Sequence, residues 1–157
     1  MSIALSTAIL VLIILLLIMI SAFFSSAETA LTAASEARIR QLAKTKANRQ
    51  AMRVEKLRKN KEELISTILV GNNLVNILAS ALATSAAISL TGDGGVALAT
   101  LVMTVIIVLF AEVLPKSYAF NNADRFSLKI ALIVQIIVWV LKPVTWSLRV
   151  IVIRILG

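Results

Sequence analysis

Ile9-Leu10-Val11-Leu12-Ile13-Ile14-Leu15-Leu16-Leu17-Ile18-Met19-Ile20 is an unbroken apolar run, and it continues through Ser21-Ala22-Phe23-Phe24 to Ala34 with Glu28 as its one charged side chain. A helix of this length and composition reaches across the hydrocarbon core of a bilayer, about 30 Å thick. No basic residue precedes the run, so it reads as a retained span and not as a cleaved signal peptide.

The rest of the chain repeats the pattern. Residues 64–90 and 96–120 are two more runs long enough to span. Between them Thr91-Gly92-Asp93-Gly94-Gly95 is a turn, because Gly and Asp supply the backbone conformations that end helices. Residues 35–63 are polar and basic, with no Gly or Pro, which predicts a helix with Ser35 as N-cap and Glu36 in its first turn. The last segment, 127–156, is apolar over 130–141 apart from Gln135, but Lys142-Pro143 interrupts it and Arg149 and Arg154 come after. A straight span there would hold Lys142 near mid-membrane at a cost of several kcal/mol. Two shorter helices joined at Pro143 and lying in the interface cost less. The expected fold is therefore all-α and integral to the membrane. It has three transmembrane helices (2–34, 64–90, 96–120), a cytoplasmic basic helix (35–63) and interfacial, belt-like helices (127–156).

Composition agrees. Of the 157 residues, 59% are hydrophobic, more than a soluble domain of this size can bury. The mean hydropathy is +0.95. The sequence has no Cys and no His, which excludes disulfides, thiolate or imidazole metal sites and a histidine switch. Any metal must be held by oxygen, which favours hard cations such as Mg²⁺, Ca²⁺ or Na⁺. The net charge of +8 suggests nucleic acid until it is mapped, because ten of the sixteen Lys and Arg fall within residues 38–61. A juxtamembrane basic loop explains that clustering better, so the partner is the lipid membrane and not nucleic acid. Placing that loop in the cytoplasm puts the N-terminus outside and the C-terminus inside.

Each span carries polar groups. Ser21, Ser25 and Thr29 are spaced by four and Glu28 lies three beyond Ser25, so they share a helical face. Asn72, Asn76, Ser80 and Thr84 form a stripe on the second span, with Gly71 and Asn73 beside its start. On the third, Glu112 is the one ionisable residue between Asp93 and Lys116. A carboxylate in hydrocarbon is expensive unless a cation accompanies it. Pro115, three residues on, lacks an N–H and deprives the Ala111 carbonyl of its helical partner. A carboxylate beside such a carbonyl, facing Ser and Asn oxygens, suits a dehydrated hard cation. Structural alternatives stand beside this one. Ser and Thr in membrane helices often bond their own backbone, the Asn pair can be interhelical glue, and Glu112 can pair with Lys116 one turn away.

Three motifs, Ser21-Ala22-Phe23-Phe24-Ser25-Ser26-Ala27-Glu28-Thr29-Ala30-Leu31, Gly71-Asn72-Asn73-Leu74-Val75-Asn76 and Glu112-Val113-Leu114-Pro115-Lys116, resemble the transmembrane domain of the CorC / cyclin M (CNNM) family in order and spacing. The resemblance implies Mg²⁺ transport, mostly efflux, with Na⁺ coupling proposed for the family. It implies three transmembrane helices, a juxtamembrane belt helix and a homodimer, which the small-residue run 79–87 also suits. Carried over residue by residue, it makes Ser21 and Ser25, the Gly71 carbonyl, Asn72 and Glu112 the metal ligands. The family's proteins usually continue into cytosolic CBS modules, so a CBS-type region is expected after residue 157.

Two functions share these ligands: a Mg²⁺ transporter of the cell membrane, and a membrane-anchored Mg²⁺ sensor or scaffold that moves nothing. An intramembrane enzyme is disfavoured. Most chemistries need the absent His or Cys, and Thr91-Gly92-Asp93-Gly94 resembles an aspartyl protease motif only superficially, with no second membrane-embedded Asp.

Overall fold

A computed structural model describes residues 3–45, 48–92 and 94–156, and every element in it is helical. In chain order these are α1 (Ile3–Ala33), α2 (Glu36–Thr45), α3 (Arg49–Lys59), α4 (Lys61–Thr91), α5 (Gly95–Ile106), a π-helical segment (Ile107–Val113), α6 (Leu114–Asn121) and α7 (Ala123–Leu156). Among the described residues, four stretches are long and apolar enough to cross a membrane: Thr7–Ala33, Lys61–Ser89, Gly95–Asn121 and Ala123–Ile155. That is one more than the three expected, and the fourth is α7.

The chain divides into two compact units. The first combines α1 up to Ser25 with Gly71–Ser117. Its core is Ile14 and Ile18 of α1, Ala79 of α4, Met103 of α5 and Ala111 of the π-helical segment. Alanine at two of these five contacts lets helix backbones approach closely, which drives association where lipid removes the hydrophobic effect between helices. Leu12 and Met19, by contrast, are large apolar side chains facing outward. α4 ends where Gly92 adopts φ +71° and donates its N–H to the Ile88 carbonyl at 2.9 Å. This left-handed C-cap requires glycine, and the chain turns there toward α5. Asp93 of the predicted turn lies outside the described residues.

The second unit holds Ser26–Val70 and the chain from Tyr118 onward. α3 packs against both α2 and α7, burying Ile39 of α2, Val54 of α3 and Val134 of α7. The basic segment expected as one helix is two, because Asn48 starts α3: its Oδ1 accepts from the Gln50 and Ala51 N–H groups at 2.9 and 3.2 Å. Around the end of α1, the Ser35 N–H donates to Asp124 Oδ1 at 2.8 Å and Arg38 donates to Asp124 Oδ2 at 3.2 Å. Arg58 donates to the Ala34 carbonyl at 2.7 Å, a cation placed on the exposed acceptors of a helix C-terminus.

The expected break at Pro143 does not occur: α7 runs unbroken from Ala123 to Leu156 with Pro143 inside it. Pro143 deprives the Trp139 carbonyl of its helical partner, and the hydroxyls that follow back-bond other carbonyls, as Ser and Thr do elsewhere in helices. Thr145 Oγ1 donates to the Leu141 and Lys142 carbonyls at 3.2 and 3.1 Å, and Ser147 Oγ to the Pro143 carbonyl at 2.8 Å. The cations of α7 also find partners, Lys142 with Glu63 and Arg149 with Glu62, each at 3.7 Å.

Candidate intramembrane cation site

All five sequence-predicted ligands fall in the first unit. Ser21 and Ser25, one turn apart on α1, are 0% and 1% exposed. Ser21 Oγ donates to Asn72 Oδ1 at 2.7 Å, tying α1 to α4 in mid-helix. That separation has a chemical meaning. Adjacent ligands of an octahedron with metal–oxygen distances of 2.0–2.1 Å stand about 2.9 Å apart. At 2.7 Å, the usual O–H···O hydrogen-bond length, the two oxygens lie close enough to be neighbouring ligands of one small cation.

Gly71 explains how the helices come so near. A Cβ built on it would lie 2.6 Å from Phe24 Cζ and 2.7 Å from Cε1. Phe24 is buried and meets Phe23 edge to face at a centroid distance of 6.0 Å. The ring therefore rests directly on the α4 backbone, where any side chain would push it away. One glycine brings Asn72, its neighbour, to the serine face of α1.

Glu112 stands half-buried in the π-helical segment. Pro115 accounts for that segment. Its ring would clash with the carbonyl four residues back and it offers no N–H, so a widened turn just before it relieves both faults. The Leu114 N–H accordingly bonds the Leu109 carbonyl, five residues back. An inserted residue also rotates the next turn of helix by about 100°, re-aiming Glu112 relative to a straight helix. Sequence reasoning noticed Pro115 but not the change of helical register, which depends on what the neighbouring helices allow.

Among the described residues the Glu112 carboxylate makes no hydrogen bond or ion pair, so the alternative pairing with Lys116 does not form. Its unit brings Ser21, Ser25, Gly71 and Asn72 together, and Glu112 enters the same unit beside Ala111 of the core without bonding any of the four. Asn76, one turn past Asn72, has a buried Oδ1 with no hydrogen-bond partner, another acceptor left open on the same stripe. Among the described residues no three acidic side chains cluster to hold a metal. Any cation here would rest on one carboxylate and neutral oxygens.

The transmembrane N-terminal domain of cyclin M, taken as a family, matches residues 12–157. The chain belongs to that family. It is 44% identical over 130 residues to the UPF0053 inner membrane protein YfjD of Escherichia coli, covering 83% of this chain and 30% of that protein. A UPF0053 protein of Haemophilus influenzae is 39% identical over 149 residues, 95% of this chain and 35% of the relative. A chloroplastic DUF21 domain-containing protein of Arabidopsis thaliana is 40% identical over 127 residues, 81% of this chain and 18% of its own length. The chain thus spans about a third of the length of the bacterial relatives it matches. It is a multi-pass membrane domain of the cyclin M family.

Proposed function

We propose that this cyclin M domain transports Mg²⁺ across the cell membrane, outward and coupled to Na⁺, through a dehydrated site made by Ser21, Ser25, the Gly71 carbonyl, Asn72 and Glu112. The observation that carries it is the Ser21–Asn72 contact of 2.7 Å between two helices of one unit, in which Glu112, the one carboxylate among that unit's described residues, makes no hydrogen bond or ion pair. A structural role for Glu112 would call for such a partner, because an isolated carboxylate in an apolar helix is costly. A passing divalent cation supplies one. Release occurs when the helices part, and the π-helical turn beside Glu112 gives the third helix a place to flex.

The domain works as a homodimer with the N-terminus outside and the C-terminus cytoplasmic. Small residues over 79–87 favour close approach of a second copy, and the basic α2 and α3 favour the cytoplasmic side. α7, although long enough to span, lies along the cytoplasmic surface as a belt. Asp124 in its first turn meets Ser35 and Arg38 past the end of α1, while Lys142 and Arg149 meet Glu63 and Glu62 in the first turn of α4. α1 and α4 are consecutive spans joined by the basic segment, so that end of α1 and that start of α4 belong to one face of the membrane. A helix fixed to both of them runs along that face.

Mg²⁺ flux into proteoliposomes, measured beside Mg²⁺-dependent thermal protection, tests the proposal. Wild type should show both and Glu112→Gln neither. Protection without flux would favour the sensor reading, and a Glu112→Gln variant with full protection would remove this site.

A further inference from the structure

We propose that the groove between α3, the start of α4 and α7 binds the phosphate headgroup of an anionic phospholipid. The groove is about 190 Å³, and its polar side is formed by Lys56, Asn60, Gln135 and Lys142. Two ammonium groups and two side-chain amides offer N–H donors and formal positive charge to a phosphate. Leu64 and Trp139 line the same groove and give it an apolar side. Trp139 is 75% exposed, with Ile136 and Val140 of α7 also turned outward. A tryptophan that is apolar in body and polar at one edge is typical of the bilayer interface.

Glu63 also lines the groove and opposes an anion, but it offsets only one of the two lysines. Its contact with Lys142 is 3.7 Å, well beyond the roughly 2.8 Å of a charge-assisted hydrogen bond, so the ammonium keeps donors to spare. A second groove, lined by Glu36 and Glu55 with the cations Arg40, Arg58, Lys59 and Lys61, is larger, at about 250 Å³, and more basic, so charge alone does not favour the first. It carries two carboxylates, one already taken by Arg40 at 2.8 Å, and Ile39 as its apolar element. It lacks the aromatic, membrane-facing wall that a lipid needs. The combination of cationic donors with an exposed Trp therefore selects a lipid headgroup over a soluble phosphate.

The inference rests on α7 lying at the cytoplasmic membrane surface, and the experiment separates the two. The full chain carrying Trp146→Phe is reconstituted in mixed phosphatidylcholine and phosphatidylglycerol vesicles, with brominated acyl chains on one lipid at a time. Trp139 fluorescence then reports which lipid is its neighbour. Expected is preferential quenching by the brominated anionic lipid, falling about fivefold on removal of either groove lysine by Lys56→Gln or Lys142→Gln. Arg149→Gln removes an equal charge outside the groove and should leave the preference intact. Inorganic phosphate at millimolar concentration should not reduce it. Equal quenching by both lipids would overturn the headgroup site. Absence of quenching by either would overturn the belt and the site together. A preference that survives Lys56→Gln with Lys142→Gln, or that inorganic phosphate abolishes, would overturn the lipid assignment. Helical circular dichroism of each variant checks that these exposed substitutions leave the fold intact.

Discussion

Gly71→Ala adds one methyl group where the Phe24 ring of α1 rests on α4. The new Cβ would fall 2.6 Å from Phe24 Cζ and 2.7 Å from Cε1. Ordinary carbon–carbon contact begins near 3.5 Å, so the ring must retreat by roughly 1 Å. Phe24 is 6% exposed, so its ring cannot swing into open space, and α1 must shift with it. Overpacking of this kind costs about 1–3 kcal/mol. Replacing glycine by alanine inside a helix returns about 1 kcal/mol, leaving a net loss of about 0–2 kcal/mol. Unliganded stability should therefore fall by only a few degrees. Cation binding should suffer much more. Ser21 and Ser25 flank Phe24 on α1, and Mg²⁺ tolerates ligand displacements of only about 0.2 Å. The assay is thermal unfolding of the purified protein with and without Mg²⁺. At a hundred times its Kd the ion should protect wild type by about 2.7 kcal/mol, and Gly71→Ala by almost nothing. Adding Phe24→Leu to Gly71→Ala should recover part of the protection, with a coupling that the two single variants do not sum to. Full protection in Gly71→Ala would refute the close approach as the device that builds the site.

Further outcomes are open to measurement. Glu112→Gln should abolish Mg²⁺ flux and protection while leaving membrane insertion and helix content unchanged; Ser25→Ala and Asn72→Ala each remove one neutral oxygen and should weaken protection less. Asp124→Ala removes acceptors from the Ser35 N–H and the Arg38 guanidinium, and should lower stability by about 1–2 kcal/mol, read as a reduced melting temperature without loss of Mg²⁺ protection. Cysteine introduced at Lys59 should react with an impermeant thiol reagent only from the cytoplasmic side, and cysteine at Gly94 only from outside; the reverse pattern would invert the topology. Cysteine at Ala81 or Ser85 should form cross-linked dimers in native membranes, and failure of both to do so would count against the homodimer.

The membrane character, the helical class and the family were legible in the chain, because each is a matter of composition or of motifs in short-range spacing; the five candidate ligands are what the family resemblance implies. An apolar run of span length has few other fates, and Ser21 and Ser25 must share a face in any helix. What escaped was set by partners distant in sequence. Lys142-Pro143 reads as a break when taken alone. In the fold, Glu63 and Glu62 receive the cations of α7, and the helix stays whole through Pro143. Pro115 announced a disturbance near Glu112, but a π-helical turn was one of several ways to absorb it, and the packing of Ala111 against Ile14, Ile18 and Met103 belongs to the tertiary structure. Gly71 was expected to contribute a carbonyl. Only the fold shows what its missing side chain does, leaving the space that the Phe24 ring fills beside the 2.7 Å bond from Ser21 to Asn72. Local periodicity is written into a sequence residue by residue, whereas the distance between two helices depends on everything packed between them.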